Sequence, residues 1–112
     1  MAGETLRESD GLAVSPANAG LSPEERRAAP GLFRALLAGH LLHALGERKA
    51  TKIVGAVRMA LEMEPLLRVE SLELLDAATR APVKKVKGPA LLEAAVYAGR
   101  TRLTDGIGLG RE

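Results

Sequence analysis

The chain contains no cysteine and no tryptophan, and only one phenylalanine and one tyrosine. Without cysteine it has no disulfides, no thiolate metal site and no cysteine nucleophile. That absence fits a reducing compartment without proving one. Two aromatics cannot build a base-stacking platform for nucleic acid. An excess of one charge sign is also missing: 16 basic residues face 14 acidic ones, a formal charge of +2. No strong field for a polyanion follows, so nucleic acid is not expected as a partner. No apolar run approaches the roughly 20 residues of a membrane span, so no membrane partner is expected either. The stretch from Met1 to Asp10 is polar and lacks the apolar centre of a signal peptide. A cytoplasmic location is the expectation.

What is present is a chain of 112 residues, 46% hydrophobic and 27% charged. That is the balance of one globular domain. A domain of this size hides only about two thirds of its unfolded surface. The core must be built from Leu, Ala, Val, Ile and Met. The length is short for an enzyme that grips two or three substrates.

Residues 1–21 lack helical periodicity and hold Gly3, Gly11, Pro16 and Gly20. They read as an arm or loop, with a short strand around Leu12 to Val14. Ser22-Pro23-Glu24-Glu25 then opens a helix. Ser22 and Glu25 have capping-box spacing, and Pro23 sits where its missing donor costs nothing. Pro30 should kink or restart that helix. Beyond it, Phe33, Leu36, Leu37, Leu41, Ala44 and Leu45 recur at three- and four-residue steps, which predicts a core-facing stripe. Gly46 is the expected stop. A second helix is predicted over 50–63, with Ile53, Val54, Val57, Ala60 and Leu61 on one stripe and Pro65 ending it. Strands are predicted over 69–75, with Leu72 and Leu74 on one side, over 90–98 and over 101–107. The stretch 90–98 suits a helix by composition, but its length and the bounding Gly88-Pro89 and Gly99 favour strand. Ala98-Gly99-Arg100 is the hairpin turn. The predicted fold is α+β: two main helices on one face of a small, three-stranded antiparallel sheet. The organisation is an arm over 1–21 and a domain over 22–112.

Few residues carry chemistry. His40 and His43 are three apart on the first helix, a spacing that suits paired imidazole ligands. Only carboxylates are available as further ligands, so helix-surface histidines are the preferred reading, and no metal is expected. Gly106-Ile107-Gly108-Leu109-Gly110 alternates glycine, but a phosphate-cradling loop must lead into a helix. A flexible tail is expected there. Lys84, Lys85 and Lys87 read as a solvated loop. None of Ser9, Ser15, Ser22 and Ser71 lies in a nucleophile elbow.

One stretch is more specific than its physics. Residues 7–34 read RESDGLAVSPANAGLSPEERRAAPGLFR. This resembles the start of the carboxyl-terminal domain of the pantoate–β-alanine ligase (pantothenate synthetase) family, which carries a run close to RE-x-DGLAMSSRN-x-YLSPEER. Arg7, Glu8, Asp10, Gly11, Leu12, Ala13, Ser15, Asn18 and Leu21 to Arg26 match. So do Ala29-Pro30 and Phe33-Arg34-Ala35-Leu36. Farther on, Leu72-Glu73, Asp76-Ala77, Pro82-Val83, Gly88-Pro89-Ala90 and Thr101 to Asp105 are also similar to the family. The likeness runs from about Thr5 to Ile107.

The resemblance implies a lid. The family makes pantothenate from pantoate and β-alanine through a pantoyl-adenylate, with ATP and Mg as cofactors. Its large amino-terminal nucleotide-binding domain holds most of the site, and the smaller domain closes over it. The AMSSRN run is the family's KMSKS-like loop, which sets hydroxyls and a guanidinium on the ATP phosphates. Such donors stabilise charge on the leaving pyrophosphate. The sequence departs from the family in that loop: Val14, Pro16, Ala17 and Gly20 stand where the family has Met, Ser, Arg and an aromatic. Ser15 and Asn18 remain as ATP-phosphate candidates by resemblance, and a turn serine without ligand is the other reading of Ser15. Nothing like the nucleotide-binding domain precedes Thr5, and Met1-Ala2-Gly3 reads as an added start. The expected function is therefore a lid domain, catalytically silent and without a cofactor when alone, whose partner is the nucleotide-binding domain. The alternative is an interaction module, with Phe33, Leu37, Leu41 and Leu45 forming a homodimer face.

Overall fold

The computed structural model describes residues 5–110. The reading of Met1-Ala2-Gly3 as an added start lies outside them. Helix α1 spans Pro23–Ala28, α2 Gly31–Ala44 and α3 Ala50–Glu62. Strands β1 (Leu67–Asp76), β2 (Ala90–Ala98) and β3 (Thr101–Leu109) form an antiparallel sheet in that order, with β2 central. The fold is α+β as expected.

Each boundary has a local cause. The capping box at Ser22 forms in both directions: Glu25 N donates to Ser22 Oγ at 3.1 Å, and Ser22 N donates to Glu25 Oε1 at 2.9 Å. Pro30 then ends α1 and stands as the first flank of α2, so the predicted bend is a restart. Gly46, at φ 112°, follows α2 as the left-handed stop. On β2, Ala90, Leu92, Ala94, Val96 and Ala98 face the helices and are buried. On β1, Leu72 and Leu74 face the same way. A register shift between Val69 and Ser71 bulges β1 at Glu70.

Two expectations need correction. The first is the stripe of α2. Its buried residues are Gly31, Leu32, Ala35, Leu36 and Gly39. Of the predicted stripe only Leu36 is fully buried, while Leu41 and Leu45 are 59% and 85% exposed. The helix is apolar on several faces, so periodicity alone could not choose among them. Close packing chose the face bearing Gly39. A β-carbon there would lie 2.7 Å from both Leu92 Cδ2 and Val57 Cγ2.

The second concerns Gly106 to Gly110, expected as a flexible tail. Strand β3 continues through it to Leu109, with Gly106 opposite Glu93 and Gly108 opposite Leu91. Leu109 is fully buried and Ile107 packs against the core. The alternation is a strand period, apolar inward and glycine outward.

Lys84, Lys85 and Lys87 are exposed, as expected of a solvated loop. That loop is nonetheless pinned. Val86 is buried, Lys85 bridges to Lys49, and Pro82 bridges to Leu75. Among the described residues no helix is long and apolar enough to cross a membrane.

Candidate functional site

The arm ahead of α1 doubles back on itself. Glu8 N donates to Leu12 O at 2.8 Å, Val14 N donates to Leu6 O at 2.8 Å, and Arg7 bridges to Ala13. The turn between them needs Gly11, at φ 97°, where a β-carbon would run into the Phe33 ring. Leu12 drops from this small hairpin into the core.

Ser15 follows the hairpin and caps a 3-10 turn over Pro16–Gly20. Its Oγ accepts from Ala17 N at 3.1 Å, and its carbonyl accepts from Asn18 N at 3.0 Å. Pro16 stands where a missing N–H costs nothing. Ser15 itself is exposed. Asn18 behaves differently. Its Nδ2 donates inward to Ala13 O at 2.9 Å, and its Oδ1 is buried with no hydrogen-bond partner. The two candidates share a loop, but only the serine faces outward. Both line one small cavity with Thr104 and Asp105.

The loop borders a groove of about 600 Å³ on the open face of the sheet. Ser71, Glu73, Glu93, Ala95, Arg102 and Thr104 form much of it. Glu73 and Glu93 stand directly opposite each other across β1 and β2. Like charges so placed repel. Arg80 offsets this, its Nη2 donating to Glu93 Oε1 and Oε2 at 3.1 and 3.2 Å. Arg102 Nε donates to Glu70, which raises the guanidinium pKa further.

Beneath the loop lies a contact that no single-residue reading of the sequence singled out. The Arg7 guanidinium grips Asp105 with both terminal nitrogens, Nη2 donating to Oδ1 at 3.0 Å. Arg7 Nη1 also donates to Gly11 O at 3.1 Å, and the guanidinium carbon lies 3.9 Å from the centre of the Phe33 ring. The Asp105 side chain is 2% exposed and accepts from Gly106 N at 2.7 Å. The available signal was the resemblance itself, whose matching runs include both Arg7 and Asp105.

The histidines contribute little to this site. His40 Nδ1 is buried without a partner. Burial, then Arg48 and His40, lower the His43 pKa. No three His, Asp or Glu side chains converge as a metal site among the described residues. At the loop, the donors suit one phosphate oxygen through the Ser15 hydroxyl. They do not make a bidentate grip, because alanine occupies position 17 and the Asn18 amide is committed.

These features define a small α+β domain with one serine-tipped loop at the rim of a shallow polar groove. The sequence model of the family described as pantoate-beta-alanine ligase matches residues 1–108. The chain belongs to that family and corresponds to the carboxyl-terminal region of its enzymes. It is 46% identical to a pantothenate synthetase of Myxococcus xanthus over 110 residues, covering 96% of this chain and 37% of the relative. It is 45% identical to a bifunctional pantoate ligase/cytidylate kinase of Synechococcus, covering 96% of this chain and 20% of the relative. The crystal structure of pantothenate synthetase from Thermus thermophilus superposes with a TM-score of 0.86 at 36% identity, over 92% of this chain and 37% of that one. The chain thus spans well under half the length of the relatives it matches.

Proposed function

We propose that these 112 residues act as the lid of an ATP-dependent pantoate–β-alanine ligase in the cytoplasm, closing over a nucleotide site held by a separate nucleotide-binding domain. The observation that carries this reading is the pairing of a family match over residues 1–108 with a loop in which, of the two candidates, only Ser15 faces outward, while the Asn18 amide is turned in to Ala13 O. ATP and Mg are gripped by the other domain. Ser15 supplies a single hydroxyl to a phosphate oxygen, and closure excludes water from the reacting groups. Val14, Pro16 and Ala17 leave the loop without a cation, so its share of the electrostatic work is small. The test is an AMP-release assay with pantoate, β-alanine and ATP. The purified chain gives no turnover alone. Adding the separately produced nucleotide-binding portion of the Myxococcus xanthus relative gives measurable turnover. Turnover by the chain alone overturns this reading.

A second reading is favoured by the outer face of α2. Leu41 and Leu45 are exposed there, which suits an interaction module that self-associates. Phe33, placed on the same predicted face, is instead engaged by Arg7. Sedimentation equilibrium decides: a strict monomer at high concentration removes the module, and a dimer broken by Leu45→Glu supports it.

A further inference from the structure

The Ser15 loop meets the body of the domain through Ala17 and Leu21, which pack against the core, and through the Thr101 hydroxyl, which donates to Gly20 O. A second tie comes from the arm that precedes it. Asp105 belongs to β3, the strand hydrogen-bonded to the central strand. The bidentate pair carries that fixed position to Arg7. The neighbours of Arg7 make the bridge, Glu8 N donating to Leu12 O and Leu6 O accepting from Val14 N, which sets Ala13 opposite Arg7, and the Ala13 carbonyl accepts from the Asn18 side chain. Asn18 N in turn donates to Ser15 O, closing the turn that displays the serine. A series of hydrogen bonds, joined through the backbone of the small hairpin between Arg7 and Ala13, thus runs from the sheet to the loop, and no step in it needs a ligand.

We propose that Arg7 and Asn18 are positioning residues, which together with Asp105 fix the Ser15 hydroxyl relative to the sheet. This rests on the reading that Ser15 meets a phosphate, but its geometric part stands apart from that. It also gives Asn18 a role different from the one the resemblance implies. Its amide nitrogen holds the loop from within, and its amide oxygen is buried. The Arg7–Asp105 pair is suited to the task because it is shielded. Arg7 has a side chain 19% exposed and Asp105 one 2% exposed, so water competes little for either. The planar guanidinium also serves Gly11 O and stacks on Phe33, which a lysine cannot imitate.

The test is amide hydrogen exchange by NMR on the 112-residue chain, compared with Arg7→Gln, Arg7→Lys and Asp105→Asn. Arg7→Gln accelerates exchange at Val14, Asn18 and Leu21 by about tenfold or more relative to Leu92 and Val96 in β2, as selective local opening requires. Arg7→Lys recovers only part of the protection. Asp105→Asn attacks the same pair from β3 and reproduces the pattern, so the result does not depend on Arg7→Gln folding. Equal acceleration at every amide, or none in the arm, overturns the proposal. A parallel titration with inorganic tripolyphosphate separates the two readings. Shifts at Ser15 that vanish in Arg7→Gln extend the positioning role to ligand contact. Absence of shifts in the unsubstituted chain removes the phosphate role of Ser15, and the exchange pattern still decides whether Arg7 positions the loop.

Discussion

Gly39 on α2 and Leu92 on β2 approach so closely that a β-carbon on the glycine would lie 2.7 Å from Leu92 Cδ2. The helix meets the sheet through this missing side chain. Gly39→Ala therefore destabilises the fold, although alanine is the better helix former by about 1 kcal/mol. Overpacking costs about 1–3 kcal/mol, and the clash here is with two branched side chains at once, so the net loss is about 1–2 kcal/mol. Gly55 on α3 is the contrast, since nothing lies within 4 Å of its would-be β-carbon. Gly55→Ala gains about 0.5–1 kcal/mol. Urea denaturation of the two variants, with opposite shifts in midpoint, checks both.

The α2 stripe gives a second test. Leu36→Ala empties a fully buried position and costs about 2–5 kcal/mol. Leu45→Ala, at a residue 85% exposed, changes stability by less than about 0.5 kcal/mol. Thermal melts in which both variants lose equally would contradict the packing described.

The capping box predicts a third outcome. Ser22→Ala leaves Glu25 N without its side-chain acceptor and costs about 1 kcal/mol. Ser22→Asp retains most of that stability. Guanidinium titrations that fail to separate alanine from aspartate at this position would show that the cap contributes nothing.

The pH dependence has a defined sign. His43 is held below its ordinary pKa of 6.5, chiefly by burial. The unfolded chain therefore binds a proton that the folded chain resists, and stability falls as pH drops through 6.5. Asp10, Glu47 and Asp76 are held below their ordinary values, mainly by Arg26, the Lys49 amide and the Thr79 amide respectively. Their contribution is present above about pH 4.5 and is lost at more acid pH. Denaturation at about pH 7.5 and about pH 5.5, on either side of the histidine range, should show a lower midpoint at the more acid value. In His43→Gln most of that difference disappears.

Much of the architecture was legible because it rests on short-range chemistry. Ser22, Pro23 and Glu25 announce a helix start, and Pro30 a restart. The β2–β3 hairpin is bounded by Gly88-Pro89 and turns at Gly99. What escaped was the choice among equivalent faces. Leu36, Leu37, Leu41 and Leu45 are alike as residues, and only the docking of α2 through Gly39, against Val57 and Leu92, decides which of them is buried. Glycine misled at Gly106 and Gly108 because its low strand propensity hid an intact two-residue period. At the candidate site, Ser15 and Asn18 were named from their likeness to the family. Their different orientations follow from the Ala13 carbonyl, which no local pattern reveals.

The Arg7–Asp105 pair joins residues 98 apart in the chain. It cannot form until β3 has been placed, since closing so long a loop gains nothing beforehand. The arm therefore docks through this pair only after β3 is in place. Its substitutions should speed unfolding while leaving the folding rate nearly unchanged. An arm held by so long-range a pair can detach while the sheet and helices stay assembled, and that excursion exposes the serine loop.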